Sequence, residues 1–187
     1  LRLWKGEEVT LDGEFFQYDG VRISPLPAQA ELPLWIGGSS DAAIRRTVKY
    51  GTGWQASFEN PEQAGITVEK IKQGMREAGR DFEDDHFGTG INYRFGKWDD
   101  DVVVRAAKRF ERVGGRNSRD SFAVGGAAEL LDKIRAFADA GLPKLILRPL
   151  AADDGDTIRQ TQLMIDEIQP EIAAMNMADK AKLTALA

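Results

Sequence analysis

The chain has 187 residues, of which 42% are hydrophobic and 29% are charged, and this composition excludes a mainly disordered protein. Its 25 basic and 30 acidic residues give a net charge of −5, so we expect neither nucleic acid nor an anionic membrane surface as a partner. The chain has no cysteine and a single histidine, which excludes disulfides, thiolate metal sites and histidine-rich metal sites. We therefore predict no metal site.

No apolar run approaches the ~20 residues of a membrane span, and no secretory segment opens the chain. A cytoplasmic protein without a membrane partner is therefore expected. Because the chain begins at Leu1 rather than Met, we also expect further sequence upstream.

The N-terminal segment is predicted to form a β-hairpin. Residues 9–11 and 15–18 are strand-like, and Asp12-Gly13 between them is typical of a tight two-residue turn with positive φ. Two prolines then end the regular structure.

From residue 32 onward, predicted strands alternate with predicted helices. The strands lie at 34–36, 53–57, 87–95 and 144–149. This alternation indicates βαβ units with a parallel sheet. We therefore divide the chain into a hairpin with its connection, 1–31, and an α/β domain, 32–187. Four strands cannot close a (β/α)8 barrel, which typically needs ~250 residues, so the domain is an open sheet or part of a barrel.

Helix signals fill the gaps between these strands. The predicted helices end at Tyr50, Gly79 and Gly114, span 127–140 and 157–169, and resume at Pro170 toward Ala187, while 116–120 is a polar loop. Asn60, Pro61 and Gln63 predict a capping box at the start of the second helix. Helical spacing assigns apolar side chains to the buried faces, among them Ile66, Val113 and Ala138.

The strongest local signal is a glycine–serine turn between the first strand of this domain and its helix. It consists of Gly37, Gly38, Ser39 and Ser40. Glycines let backbone N–H groups approach an anion closely, and the helix N-terminus with two hydroxyls favours a phosphate. The alternative is a tight turn with an ordinary serine cap, since the pattern is neither a P-loop nor GxGxxG.

The strand at 87–95 has a second polar signal. Gly88, Gly90, Asn92 and Arg94 fall on one face by strand alternation. Inside a barrel, this face would place Asn92 and Arg94 toward the C-terminal mouth, where ligands bind. The alternative is an edge strand with a solvated polar face.

Three further residues have weaker signals. Arg148 ends the last strand, so it either faces the same mouth or pairs with Asp153 or Asp154. His86 precedes a strand, and we interpret it as structural. Glu59, just after the second strand, is the one acid–base candidate for a phosphate-handling isomerase or hydrolase, which is a weaker alternative.

Several stretches together resemble a known family. They are, in chain order, LW, VTLDGEFFQY, ISPLPAQAELPLWIGGSSDAAIRRTVKYGTGW, AGR and FAVGGAAELLDKIRAFADAGLPKLILRPL. Their content and order resemble the C-terminal half of luciferase-like flavin-dependent monooxygenases, the bacterial luciferase superfamily, which includes deazaflavin-dependent oxidoreductases. The resemblance covers nearly the whole chain.

This resemblance implies an α/β fold that is the C-terminal half of a (β/α)8 TIM barrel, strands five to eight, with the hairpin as an insertion before strand five. It implies a cofactor, FMN or the deazaflavin coenzyme F420, whose phosphate lies at the glycine–serine turn. The predicted cofactor-binding residues are Gly37, Gly38, Ser39, Ser40, Asn92, Arg94 and Arg148.

The function implied is part of a flavin- or deazaflavin-dependent oxidoreductase or monooxygenase that acts on a small organic substrate. The alternative is a non-catalytic flavin-binding or structural homologue. No catalytic residue is assigned. Because a half barrel leaves strand edges exposed, we expect a homodimer that covers them.

Overall fold

The computed structural model of the chain describes residues 1–81 and 83–175 and divides into two compact units, Leu1–Pro33 and Leu34–Ala187. The first unit has a short 3-10 helix, Leu3–Lys5, and an antiparallel hairpin of β1 (Val9–Asp12) and β2 (Gln17–Val21).

The predicted hairpin is confirmed, but its predicted two-residue turn is wrong. Asp12 pairs with Gln17, which leaves a four-residue loop closed by a hydrogen bond from the Gly13 N–H to the Phe16 carbonyl, 3.0 Å long. Gly13 does not have a positive φ. Because β2 begins two residues later than expected, the loop is too long for a primed turn.

The second unit is an α/β structure. In chain order it contains β3 (Trp35–Gly37), α1 (Asp41–Tyr50), β4 (Gly53–Gln55), α2 (Pro61–Glu77), a 3-10 helix (Asp84–His86), β5 (Phe87–Phe95), α3 (Asp101–Gly114), α4 (Ser118–Ser121), β6 (Ala123–Gly125), α5 (Ala127–Asp139), β7 (Lys144–Pro149), α6 (Asp154–Glu167) and helical residues 169–175. The predicted continuation of the last helix to Ala187 lies outside the described residues.

The predicted α/β class with a parallel sheet is confirmed. β5 lies at the centre of the sheet, because Gly88 pairs with Gln55 of β4 on one side and with Lys144 of β7 on the other. The edge-strand interpretation of β5 is therefore wrong. β3 pairs with β4 and β6 with the end of β5, all in parallel. Among the described strands, β3 and β7 do not pair, so the sheet is open.

Local signals place the helices against this sheet. The predicted capping box of α2 is present, with Asn60 and Gln63 bonded reciprocally and Pro61 at the first helical position. The main core cluster lies between the sheet and helices α2 and α5. Its large fully buried side chains include Trp54, Ile71, Phe87, Ile91, Tyr93 and Phe137.

Some sequence predictions are wrong in detail. Residues 116–120 are not simply a loop, since they lead into α4 and then β6, a strand too short for a periodicity signal. Ile66, Val113 and Ala138 are exposed. Ile66 lies away from the buried face of α2 because that face repeats every three to four residues.

The last strand-to-helix connection is also shorter than predicted. α6 begins at Asp154 rather than 157, because the Asp153 carboxylate caps it by accepting the Asp156 N–H at 2.8 Å. Within residues 1–81 and 83–175, no helix combines the length and apolar character needed to cross a membrane.

Candidate functional site

A groove lies where parallel strands β4, β5 and β7 end at the same edge of the sheet. Two cavities of about 320 and 440 Å³ are present there. Both are lined by Phe58, Asn92, Phe110 and Arg148. We call these two cavities together the central groove. Open α/β sheets bind ligands outside the carboxyl ends of their strands, and an apolar wall with a few polar groups is typical of such sites.

Asn92 and Arg148, predicted separately, are brought together by strand register. They are direct partners in the β5–β7 ladder, and both line the groove. The guanidinium of Arg148 lies against Gly90, where a Cβ atom would be 2.9 Å from Nη1. Neither Asp153 nor Asp154 pairs with it, and no carboxylate of the described chain lies within ion-pair distance. Arg148 is therefore an uncompensated positive charge in the groove.

Arg94 occupies a different environment, although it lies on the same strand. Its Nε is 2.6 Å from the Asp100 carboxylate, and its Nη1 is 2.8 Å from Asp156 and also bonds the Leu150 carbonyl. Burial works against its charge, but the hydrogen bonds to the two carboxylates raise the pKa of Arg94. The same guanidinium lowers the pKa of Asp156. Arg94 thus joins β5 to the starts of α3 and α6, and its predicted contact with a cofactor stays a prediction.

The glycine–serine turn is built on a left-handed glycine. Gly38 has a φ of +91°, a conformation that favours glycine, and its carbonyl accepts a hydrogen bond from Trp54 Nε1 at 2.9 Å. Ser40 is the N-cap of α1, where its hydroxyl accepts the Ala43 N–H at 3.2 Å. The serine-cap interpretation is therefore confirmed, and it leaves the anion-binding prediction untested because a capped helix start keeps other free N–H groups.

Ser39 is bonded to Glu59, a partner that the sequence analysis did not predict. The Ser39 hydroxyl donates to Glu59 Oε1 at 2.5 Å. Glu59 Oε2 accepts the backbone N–H groups of Ser57 at 2.8 Å and Phe58 at 3.1 Å. Burial of this side chain raises the pKa of Glu59, but the hydrogen bonds from the Ser39 hydroxyl and from backbone N–H groups together outweigh burial and lower the pKa overall. The carboxylate therefore stays charged at neutral pH.

This pair connects the turn with the central groove. Glu59 is only 5% exposed and lines the 320 Å³ cavity together with Asn92 and Arg148. Because the single hydroxyl hydrogen of Ser39 goes to Glu59, the Ser39 side chain offers an incoming ligand only oxygen lone pairs. An anion at the turn would thus be bound by backbone N–H groups at the start of α1. Ser39 and Glu59 are 20 residues apart, so no local sequence signal connects them.

Ser121 is a second residue that the sequence analysis missed. Its hydroxyl oxygen is buried and has no hydrogen-bond partner among the described residues, and Ser121 lines the 320 Å³ cavity. A buried polar atom without a partner is rare in folded proteins and calls for an explanation. No sequence pattern around Ser121 marks it, since its position follows from the packing of α4 against the groove.

His86 lies before β5, at the strand end opposite the groove. Its Nδ1 is 2.9 Å from the Asp85 carboxylate, and its ring centroid is 5.7 Å from that of Trp35. Glu83, Asp85 and His86 place possible ligand atoms within 4.8 Å of one another. Asp85 is also 3.2 Å from Lys144 Nζ, an ion pair that occupies this carboxylate. These contacts agree with a structural role for His86.

Comparison with known proteins gives one family match and several relatives. The family model described as luciferase-like monooxygenase matches residues 1–161. Pyrimidine monooxygenase RutA of Methylorubrum extorquens is 33% identical over 82 residues, which are 42% of this chain and 22% of that protein. The 5,10-methylenetetrahydromethanopterin reductase of Archaeoglobus fulgidus is 25% identical over 79 residues, 42% of this chain and 23% of the reductase. The chain thus aligns with about a quarter of each curated relative.

Solved structures match almost the whole chain. An F420-dependent secondary alcohol dehydrogenase in complex with an F420–acetone adduct has a TM-score of 0.69 at 20% identity, over 90% of this chain and 57% of the dehydrogenase. The oxygenating constituent of 3,6-diketocamphane monooxygenase from Pseudomonas putida, in complex with FMN, has a TM-score of 0.63 at 14% identity, over 90% of this chain and 59% of the monooxygenase. At these identities the likeness concerns the fold.

Proposed function

Because this chain belongs to the luciferase-like monooxygenase family, we propose that it is part of a flavin- or deazaflavin-dependent oxidoreductase and binds its cofactor at the carboxyl ends of β3, β4, β5 and β7. The family match over residues 1–161 carries the proposal. Similar structures in complex with FMN and with an F420 adduct support these two cofactors. In this proposal β3, β4, β5 and β7 correspond to strands five to eight of a (β/α)8 barrel, and β6 is an additional short strand.

The glycine–serine turn fits the phosphate of either cofactor. Gly37 and Gly38 present backbone without a Cβ, and Gly38 holds the left-handed conformation that the turn needs. The free N–H groups at the start of α1, together with the helix dipole, attract an anion. Ser40 keeps that helix start in place by capping it. Ser39 contributes by holding Glu59 beside the turn rather than by donating to the phosphate.

The rest of the ligand would occupy the central groove. A bound flavin or deazaflavin supplies two-electron redox chemistry, and the chain's own residues supply binding, orientation and exclusion of water. Phe58 and Phe110, whose ring centroids are 5.3 Å apart, form the apolar wall that excludes water. Asn92 and Arg148 provide polar contacts from the strand ends, where the cofactor and a substrate beside it would meet. Glu59, with a lowered pKa and both oxygens bonded, acts by positioning the turn.

Two substitutions at Ser40 test the phosphate position without removing the helix cap. Asn and Asp are both strong N-cap residues, so Ser40→Asn and Ser40→Asp both keep α1, but only Asp adds a negative charge at the turn. We expect Ser40→Asp to bind FMN and F420 at least tenfold more weakly than Ser40→Asn in fluorescence titrations. Riboflavin has no phosphate and serves as the matched ligand whose affinity stays equal in the two variants.

Two results would contradict this proposal. Equal FMN affinities in Ser40→Asn and Ser40→Asp would place the phosphate elsewhere. Absence of binding of both cofactors to the unmodified chain would contradict cofactor binding itself.

A second candidate function is a cofactor-binding homologue without turnover. It is favoured by the state of Glu59, the carboxylate that lines the groove, because its lowered pKa makes it a poor proton acceptor at neutral pH. This candidate predicts cofactor binding but no oxidation of reduced nicotinamide or of reduced cofactor above the rate of the free cofactor. A stopped-flow comparison with and without the protein separates the two candidates.

We also propose that the chain forms a homodimer. The open sheet leaves the outer edges of β3 and β7 unpaired among the described strands, and such edges favour pairing with another chain. Light scattering at micromolar concentration should give twice the chain mass. A monodisperse monomer would contradict the dimer.

A further inference from the structure

We propose that Arg148, Ser121 and Asn92 form an oxyanion subsite of the central groove that binds the carboxylate of an aromatic or apolar organic acid. This inference rests on the proposed function, because it assigns the substrate class of the same groove. It is distinct from the glycine–serine turn, which takes the cofactor phosphate in that proposal. The carrying observation is a buried, unpartnered hydroxyl in the same cavity as an unpaired guanidinium.

The donors of this subsite have no partner within the described chain. The Ser121 hydroxyl belongs to a residue only 7% exposed, and its oxygen has no hydrogen-bond partner. The guanidinium of Arg148 has no carboxylate within ion-pair distance among the described residues. Asn92 adds an amide directly across the strand pair from Arg148. A ligand oxyanion in this cavity would be offered donors by all three residues, since guanidinium, hydroxyl and amide are all hydrogen-bond donors.

Gly90 fixes the position of the guanidinium. A Cβ atom on Gly90 would lie 2.9 Å from Nη1 and 3.1 Å from Cζ of Arg148, so the side chain lies closely over bare backbone. This placement points the planar fork of the arginine into the 320 Å³ cavity that Ser121 also lines. A planar fork matches the two oxygens of a carboxylate.

The charge of the cavity selects a monoanion. Among the described residues that line the 320 Å³ cavity, Arg148 alone carries a positive charge and Glu59 alone a negative charge, while Arg109 lines the adjoining 440 Å³ cavity. Glu59 is already satisfied by the hydroxyl of Ser39 and two backbone N–H groups, so it needs no cation from the ligand. A dianionic phosphate in this cavity would find a single arginine and would lie near the Glu59 carboxylate. A carboxylate, with one charge, matches the single arginine.

The apolar part of the ligand is set by the aromatic wall. Phe58 and Phe110 line both cavities, with ring centroids 5.3 Å apart and planes inclined at 58°. Phe122 extends this wall, and its ring centroid is 5.0 Å from that of Phe110. An aromatic ring attached to the carboxylate would lie against these faces in offset or edge contacts.

Benzoate and benzamide test the assignment, because they share a ring and differ in the carboxylate charge. Ligand-observed NMR and calorimetry on the full chain should show benzoate binding at least tenfold more tightly than benzamide. Charge-assisted hydrogen bonds are worth roughly 1.5–3 kcal/mol, so Arg148→Gln should weaken benzoate binding about 10- to 100-fold and weaken the binding of neutral benzamide much less. Arg105→Gln removes an equal charge from an exposed site on α3 and should leave both affinities unchanged.

Two further variants test whether weaker benzoate binding reflects loss of the subsite rather than loss of folding. Ser121→Ala removes an unpartnered hydroxyl, so it should lower benzoate affinity several-fold with no loss of thermal stability. Gly90→Ala keeps every charge but pushes the flexible end of Arg148 aside, and it should weaken benzoate binding as well. If these two variants bind benzoate as the unmodified chain does, the subsite is wrong.

Competition experiments show whether the subsite binds the carboxylate of a substrate or the phosphate of the cofactor. If FMN or inorganic phosphate displaces benzoate and Arg148→Gln weakens both ligands equally, the subsite belongs to the cofactor and the substrate assignment is overturned. If benzoate binds together with FMN, the two sites are separate and the assignment is supported. Benzoate binding without any cofactor binding would overturn the proposed function while leaving the subsite in place.

Discussion

Replacing Arg94 with methionine tests whether this residue belongs to the framework that positions the site. Its side chain is 11% exposed and lies between Asp100 at 2.6 Å and Asp156 at 2.8 Å. The same guanidinium donates to the Leu150 carbonyl at 2.8 Å. Methionine keeps much of the length of the side chain but removes the charge and all three hydrogen bonds. Two carboxylates and one carbonyl would then lose their hydrogen bonds to the guanidinium.

The structure sets the size of the expected effect. Breaking a buried ion pair costs about 3–5 kcal/mol because a charge is left without its partner. Asp156 is 8% exposed but keeps Arg159 as a second partner, and Asp100 is 30% exposed and regains water. We therefore expect Arg94→Met to lower the free energy of unfolding by about 3 kcal/mol, at the lower end of that range.

Arg159→Met is the matched control, because Arg159 pairs with the same carboxylate of Asp156. Its side chain is 65% exposed, so its ion pair is screened by solvent and should contribute less than about 1 kcal/mol. Urea denaturation followed by tryptophan fluorescence measures both variants, with the comparison made at equal m-values. Equal losses in the two variants, or a loss below about 1 kcal/mol for Arg94→Met, would refute the reasoning.

Gln160 and the buried carboxyl groups give two further predictions. The Gln160 side chain bonds both the N–H and the carbonyl of Phe95, at 2.8 and 3.1 Å. Gln160→Met should therefore lower the free energy of unfolding by about 2–4 kcal/mol, measured in thermal melts. Gln162→Met, at an exposed position on the same helix, should lower it by less than about 0.5 kcal/mol. The pKa values of Asp156 and Glu59 are lowered in the folded chain. Their stabilisation is therefore complete above the ordinary carboxyl pKa of about 4 and is lost as the pH falls through the lower folded values. The urea concentration at the unfolding midpoint should decrease as the pH is lowered below about 4. A midpoint that stays constant down to pH 3 would contradict this prediction.

Local signals were sufficient for most of the framework. The strand Phe87–Phe95 was predicted with its observed bounds, because alternation over nine residues is a strong two-residue period. The capping box at Asn60 and Gln63 is likewise a contact between neighbours in the chain. β6 was missed because three residues carry no detectable period, and its strand character comes from pairing with the end of β5.

The candidate site was predictable only in part, because its most informative contacts join distant residues. Strand position identified Asn92 and Arg148, since both lie toward the carboxyl end of parallel strands. The Ser39–Glu59 bond spans 20 residues. The Ser121 hydroxyl lacks a hydrogen-bond partner because of how the described segments pack around it, which is not a local property of the sequence. Neither a partner at long range nor the lack of one leaves a periodic or compositional trace in the sequence.

The two strand-end arginines show why partners decide the roles of residues that look alike in sequence. Arg94 and Arg148 lie near the ends of adjacent strands, and from sequence alone both are predicted to contact the cofactor. Arg94 is fixed by Asp100 and Asp156, so its charge is already compensated and any ligand would have to displace a buried carboxylate. Arg148 has no such carboxylate among the described residues, lies over a glycine and lines the same cavity as Ser121, whose hydroxyl is unpartnered. An oxyanion that enters the groove is therefore bound at lower cost by Arg148 than by Arg94, although the two side chains carry the same charge.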